Sequence, residues 1–325
     1  MKTKRMIAAA AAALVLGGAW TAQAADEVSL RLNWYLGGLH VPFYYGKEQG
    51  IFEAEGIDLT INEGRGSGNT TQVVAAGSDT FGMADSSSLI TLASKGGEIK
   101  SVMSLLNSTG FSVVSLAETG IREPKDLEGK SVAVSPGDPL AQLLEAVAKA
   151  NDVDISTINF IQVDPAAKVV SVLEGRADAL LGGADDQYFL IKYQGKEPHA
   201  LRYSEYGANI VGMTILTQTA LIENNPDLVE RFVRASVKSW EAAIANPEAA
   251  VQAALAAKPD LNTQSTLDQM MVDIELLHSP ASPDRIGWGA EEDWTRTIDL
   301  LKTYRGLETT RTGPRSTPTS SCPSR

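Results

Sequence analysis

Several short stretches of this chain carry side chains suited to holding a small molecule. Asn33-Trp34-Tyr35 sets an amide beside two flat rings, with His40 close behind. Gly66-Ser67-Gly68, inside the run Gly64 to Asn69, offers backbone N–H groups at a helix start, which suits an anion. Asp85-Ser86-Ser87 and Ser135-Pro136-Gly137-Asp138 combine a carboxylate with hydroxyls, and Gly183-Ala184-Asp185-Asp186-Gln187 brings two carboxylates together. Trp288 stands between Gly287 and Gly289. Carboxylates in such loops accept hydrogen bonds from an amine or N–H-rich ligand, and an indole stacks on a flat one.

Each stretch has a structural use as well. Asp and Ser cap helix N-termini, carboxylates there suit the helix dipole, and glycines satisfy turns. His40 can bond a ligand or cap a helix, and Trp34, Tyr35 and Trp288 can be packing residues. Arg65 is the only basic residue in these loops. That tilts the reading towards an aromatic or amine-bearing ligand and away from a small anion.

Catalytic readings find less. Asp185 and Asp186 are chain neighbours, so they do not oppose each other across a glycosidic bond. There is no G-x-S-x-G elbow, and no Lys-Ser/Thr pair follows Gly68 to make a Walker loop. The single cysteine, Cys322, has no nucleophilic context and excludes a disulfide framework. The three histidines, 40, 199 and 278, lack metal-ligand spacing. No metal, no cofactor and no enzymatic activity are expected. A formal charge of −12 argues against nucleic acid as a partner.

The 325 residues, 43% apolar and 21% charged, allow two domains. Strand-like runs such as Val28–Asn33, Ile57–Asn62, Thr80–Ala84, Ser131–Ser135, Asn159–Val163 and Asp178–Leu181 alternate with helical spacing. That order demands mainly parallel sheets with helices on both faces. Two such units followed by four helices, beginning at Pro226, make two lobes with a cleft between them. Ligands sit beyond the carboxyl ends of strands in such sheets, where the stretches above fall. Asp85 and Asp186, on opposite lobes, would then clamp an amine, with hinges at Leu116–Ile121 and Tyr206–Thr214. The first lobe is expected over residues 25–117 and 213–311, and the second over 118–212.

The ends are not expected to be fold. Lys2, Lys4 and Arg5, the apolar run Met6–Trp20 and Ala22-Gln23-Ala24 read as a signal peptide cleaved near Ala24, which takes the formal charge from −12 to −15. The mature protein is expected to be soluble, monomeric and periplasmic.

Asn33-Trp34-Tyr35-Leu36-Gly37-Gly38-Leu39-His40 and Gly46-Lys47-Glu48-Gln49-Gly50-Ile51-Phe52 resemble the first strand and helix of ABC-transporter substrate-binding proteins of the NMT1/THI5-like group. The register continues in Gly66-Ser67-Gly68-Asn69, Phe81-Gly82-Met83-Ala84-Asp85, Pro124 to Val132 and Gly175-Arg176-Ala177-Asp178-Ala179, and so covers residues 28–305. The resemblance implies an α/β, type II periplasmic-binding-protein fold, with two lobes joined by two crossover strands. It implies a small-molecule ligand, which the acid-rich loops tilt towards a pyrimidine- or thiamine-precursor-like compound, and, as partners, a membrane permease with its ATPase. An anion-binding protein for alkanesulfonate, taurine or nitrate is the alternative. A periplasmic dehydratase on the same fold is a further one. The Cys-rich motif of the superfamily's eukaryotic pyrimidine synthases is absent. Relatives end in a segment resembling F-Y-T-N-E-F-L-P, whereas this chain ends in TGPRSTPTSSCPSR. One codon choice for that tail, read two bases later, encodes RTAFYTNEFLP. A frameshift from about Thr312, with residues 312–325 unpacked, is therefore expected.

Overall fold

The computed structural model describes residues 24–282, 285–305 and 307. The expected export segment, Ala24 apart, and the expected altered tail lie outside the described residues. The first unit holds β1 (Asp26–Arg31), α1 (Val41–Glu48), α2 (Ile51–Ala54), β2 (Ile57–Asn62), α3 (Ser67–Ala75), β3 (Phe81–Asp85), α4 (Ser86–Ser94) and β4 (Ile99–Ser104). The second holds β5 (Phe111–Leu116), β6 (Ser131–Val134), α5 (Pro139–Ala150), β7 (Asn159–Gln162), α6 (Lys168–Leu173), β8 (Ala179–Gly183), α7 (Gln187–Lys192) and β9 (Pro198–Arg202). The chain returns to the first sheet through β10 (Met213–Gln218). It ends in α8 (Thr219–Asn224), α9 (Pro226–Ala245), α10 (Pro247–Ala257), α11 (Thr263–Leu276) and α12 (Glu291–Arg305).

Two five-stranded sheets result, β2-β1-β3-β10-β4 and β7-β6-β8-β5-β9. Four strands of each run in one direction, and the fifth, β10 in the first sheet and β5 in the second, runs antiparallel between two of them. The two sheets thus share one topology. Period-two alternation in β1 and β2 buries Val28, Leu30, Ile57 and Leu59 under α9, whose Phe232 stacks on Phe81 with ring centroids 3.9 Å apart. The second core gathers Val113, Val132, Leu143, Leu144, Tyr203 and Ile210.

The expected lobe boundary needs correcting. β5 belongs to the second sheet, where Val113 and Val114 pair with Leu181 and Leu180 on one side and Leu201 and Ala200 on the other. An apolar run buried on both faces looks alike in either sheet. The first crossing therefore falls at residues 105–110, and Leu116–Ile121, expected as a hinge, lies inside the second unit. The return crossing occupies residues 203–212. α12 also departs from expectation: it packs on α5 as well as α4, and Leu301 is buried in the second core.

The two crossings are tied side by side. Gly212 N–H donates to Leu106 O at 2.8 Å, and Thr109 N–H to Asn209 Oδ1 at 3.2 Å. Asn107, fully buried, donates through Nδ2 to the carbonyls of Leu277 and Trp288, each at 2.8 Å. From α12, Thr297 Oγ1 accepts Val211 N–H at 2.8 Å. Asn107→Ala leaves two buried carbonyls short of a donor, at a cost of about 1–3 kcal/mol. Scanning calorimetry should show a melting temperature lower by roughly 2–10 °C; an unchanged midpoint would mean that Asn107 ties nothing together.

Candidate ligand-binding cleft

Between the sheets lies a cavity of about 430 Å³. From the first unit it is lined by Asn33, Trp34 and Tyr35 beyond β1, by His40, and by Gly66, Ser67 and Gly68 at the start of α3. From the second it is lined by Ser135, Gly137 and Asp138 ahead of α5 and by Gly183, Asp185 and Asp186 between β8 and α7. Loops separated by more than a hundred residues meet there because both sheets point their parallel carboxyl ends at the cleft. Gly66 has φ +117°, which L side chains rarely adopt, and its N–H donates to Asn33 O at 2.8 Å, tying this turn to the end of β1.

Asp85, Ser86, Ser87 and Trp288 do not line this cavity, which corrects four expected positions. Asp85 is fully buried and spends its oxygens on its own helix: Oδ1 accepts Ser88 N–H at 2.9 Å and Ser87 Oγ–H, and Oδ2 accepts Ser88 Oγ–H at 2.7 Å. Ser86 N–H and Oγ–H donate to the return crossing at Gly212 O and Val211 O. The segment is a helix cap braced on a crossing, so the Asp85–Asp186 clamp does not form. Trp288 sits outside, 5.8 Å beneath the Arg285 guanidinium.

His40 lines the cavity with both ring nitrogens already engaged. Nδ1 accepts Gly37 N–H at 3.1 Å, which leaves the proton on Nε2 to donate to Asn33 Oδ1 at 2.9 Å. Burial lowers its pKa to about 3, so the ring stays neutral. It thereby fixes the Asn33 carboxamide oxygen, so that the NH₂ is the end left free.

Lys168 escaped the sequence reading. It is 4% exposed, lines the cavity and donates to Asp138 Oδ2 at 2.6 Å. Asp138 also caps α5 by accepting Leu140 N–H at 3.1 Å. The signal was present: Asp164-Pro165 opens a helix directly after β7, which puts Lys168 at another strand's carboxyl end. Phe111, Gln187 and Gln269 line the cavity too. Gln269 reaches it from α11, accepting Gly38 N–H at 2.8 Å and donating to Asp186 Oδ1 at 3.4 Å. Gln187 accepts Gly183 N–H and donates to Asp186 Oδ2.

Asp185 and Asp186 are partly open to the cleft and otherwise enclosed by protein, and Asp273 of α11 lies fully buried behind Asp185. Desolvation and the neighbouring Asp185 charge push Asp186 up to about 7. Desolvation raises Asp185 as well, and lifts Asp273, which also faces Asp185, well above the carboxylate range. No nitrogen or hydroxyl donor reaches either Asp273 oxygen among the described residues. Contact between the two carboxyl groups raises Asp273 and opposes the rise at Asp185. Gly110, in the first crossing, makes room for this pair, since a Cβ there would lie 2.3 Å from Asp185 Oδ1.

Two α/β lobes with one topology, two crossings and a polar cleft lined by one aromatic pair define a protein of the periplasmic-binding fold. A profile of the family described as NMT1/THI5 like matches residues 38–250, and the chain belongs to that family. The formylaminopyrimidine-binding protein of Halalkalibacterium halodurans is 26% identical over 322 residues, 95% of this chain and 96% of that one. The riboflavin-binding protein RibY of Chloroflexus aurantiacus is 25% identical, covering 85% of this chain and 80% of its own. The 4-amino-5-hydroxymethyl-2-methylpyrimidine phosphate synthase THI5 of Saccharomyces cerevisiae is 23% identical, with 75% of each chain covered. Among solved structures, the alkanesulfonate-binding protein SsuA of Xanthomonas axonopodis pv. citri, bound to MOPS, superposes with a TM-score of 0.69 at 14% identity, covering 86% of this chain and 94% of that one.

Groups whose pKa is raised by folding favour the folded state at low pH and lose that contribution as pH rises. For Asp186 the window runs from about 4 to about 7. The melting temperature should therefore fall between pH 5 and 8, and Asp186→Asn should fall less steeply and melt higher than the parent at pH 8. Parallel curves for the two proteins would show that Asp186 ionises freely.

Proposed function

We propose that this protein is the exported solute-binding component of an ABC importer, acting in the periplasm as a monomer. Its ligand is a small nitrogen-rich ring of the aminopyrimidine class, delivered to a membrane permease driven by its ATPase. The observation that carries the reading is the placement of Asp186 and Trp34 in one cleft between the two units. A carboxyl group that titrates near 7 offers an O–H donor and a carbonyl acceptor together, the complement of a ring nitrogen beside an amino group. Trp34 supplies a face on which the ring stacks. The Asn33 NH₂ and the Lys168 ammonium donate to ring nitrogens or to a formyl oxygen. A relative named for binding a formylaminopyrimidine, alignable over nearly the whole chain, supports the choice. Ligand contact with both units favours the closed state in proportion to its extra affinity for it.

Lys168 and the start of α3 give the anion reading some footing, since alkanesulfonate, taurine or nitrate needs donors and positive charge. Lys168, however, is already neutralised by Asp138, and Asp185 and Asp186 stand in the same cavity. Arg65 lines the cavity as well, so the two carboxyl groups stand against one further cation, and that slight excess of acid disfavours a bare anion. The enzyme reading rests on the synthase relatives.

Calorimetry on the processed protein tests all three. A formylaminopyrimidine and 4-amino-5-hydroxymethyl-2-methylpyrimidine should bind at micromolar Kd or tighter, and taurine should not. Stacking is worth about 1–3 kcal/mol, so Trp34→Ala should weaken binding roughly 5–150-fold. Asp186→Asn should cost about tenfold or more. Heat with taurine alone would transfer the protein to the sulfonate class, and conversion of a bound pyrimidine to product would make it an enzyme.

A further inference from the structure

Asn33 is held at several points, and one of its groups is left to act. Its main-chain carbonyl accepts Gly66 N–H at 2.8 Å, and the carbonyl of the next residue, Trp34, accepts Gly64 N–H at 3.0 Å. The two segments pass closest at Gly64, where a Cβ would lie 1.9 Å from Leu32 O. The backbone beyond β1 is therefore fixed against the turn ahead of α3. The carboxamide oxygen is fixed in turn by His40 Nε2 at 2.9 Å. The NH₂ is the end that remains, on a residue that lines the cavity.

A carboxamide has two ends of nearly one shape and opposite hydrogen-bonding sense, so an unrestrained Asn can turn to meet either a donor or an acceptor. His40 takes that choice away. Its ring is buried, and its own sense is set by Gly37, whose N–H finds its acceptor in Nδ1 at 3.1 Å. Burial keeps the ring neutral, so one nitrogen accepts and the other donates. The turn that carries the ring is anchored to α11: Gly38 N–H donates to Gln269 Oε1 at 2.8 Å, and a Cβ on Gly38 would lie 2.3 Å from Met270 N. Asp186 has no comparable selectivity. A carboxyl group that titrates near 7 presents its O–H from either oxygen and accepts at the other. Discrimination by hydrogen-bonding sense therefore falls to the amide.

We infer that His40 is a specificity-determining positioning residue: it turns the Asn33 NH₂ to the ligand, so the cleft selects molecules that present a ring nitrogen or a carbonyl oxygen to the end of β1. A molecule of the same shape with a carbon or an N–H at that place leaves the fixed donor unpaired, and a site built to hydrogen-bond rejects such a molecule strongly. An amide free to turn gives up much of that preference. The inference rests on the ring reading above and adds the residue that makes the ring's nitrogens count.

Two substitutions separate the two bonds His40 makes. His40→Asn keeps an acceptor at the Nδ1 position for Gly37 and loses the donor to Asn33. His40→Gln keeps a donor at the Nε2 position and loses the acceptor. The probes are 4-amino-5-hydroxymethyl-2-methylpyrimidine and 2-amino-4-methylbenzyl alcohol, the same outline with C–H in place of both ring nitrogens. By calorimetry the processed parent should prefer the pyrimidine by about tenfold or more. His40→Asn should shrink that ratio by about fivefold or more, whereas His40→Gln should hold it within about threefold. In an Asn33→Ala background, His40→Asn should move the pyrimidine's Kd by less than about twofold, because the residue it acts through is gone. A parental ratio in His40→Asn, a fall in His40→Gln as deep as in His40→Asn, or an undiminished effect in the Asn33→Ala background overturns the positioning role and leaves the ring reading standing. Where His40→Asn does not fold, His40→Gln decides alone: a retained ratio supports the role and a collapsed one overturns it. Failure of the parent to bind the pyrimidine overturns both.

Discussion

The cleft is organised by the cost of keeping carboxyl groups away from bulk water where two sheets meet. An isolated ionised carboxylate in such a place is prohibitively unfavourable, so the surroundings must neutralise it, protonate it or hydrogen-bond it. All three answers are present. Asp138 has Lys168, burial and the facing Asp185 favour the protonated form of Asp273, and Asp186 receives donors from Gln187 and Gln269. Each answer recruits a different part of the chain. Asp273 and Gln269 come from α11 of the first unit, and Asp185, Asp186 and Gln187 from the loop after β8 in the second. The acids are therefore one of the places where the two units touch.

This arrangement also sets the character of the cleft. Lys168 brings a cation within reach of the Trp34 ring, yet its charge is cancelled at 2.6 Å. Lys258 and Glu63 repeat the pattern behind Tyr35. What remains on offer is hydrogen-bonding capacity of both kinds around a flat aromatic face, with a slight excess of acid. Such a lining discriminates by donor and acceptor geometry more than by net charge, because a ligand lacking the matching groups leaves buried polar atoms unpaired.

Much of this was legible in the residues. Strand-end loops that open helices carry Gly, Ser, Asn and Asp in recognisable order, so Asn33 to Tyr35, Gly66 to Gly68, Ser135 to Asp138 and Gly183 to Asp186 were found, and the structure brings them into one cavity. Asp85 was misread because an acid before a helix looks the same whether it caps the helix or meets a ligand; only the donors around it decide. β5 was placed in the wrong sheet because burial on both faces erases the period-two pattern that would tell its neighbours. Gln269 and Asp273 were invisible, since helical spacing in α11 does not say which face meets a loop some eighty residues earlier. Lys168 was legible, but the turn after β7 had not been counted among the strand ends.

The crossings limit how the two units can move. Gly212 to Leu106 and Thr109 to Asn209 bind the two segments laterally, so they must bend as a pair. α12 lies across them, joined to Val211 through Thr297 and to Asn209 O through Arg296 at 3.2 Å, with its apolar face on α5. α12 also packs on α4, and its Trp294 donates to Ser104 Oγ of β4 at 3.1 Å, so the helix joins both units besides being hydrogen-bonded to the return crossing. Any change in the angle between the sheets therefore has to disturb the contacts of α12 as well as bend the first crossing at residues 105–110. Gly110 stands at that point and also against Asp185. The first crossing is thus also the backbone that walls in Asp185, so bending it changes how far that carboxyl group is shielded from water.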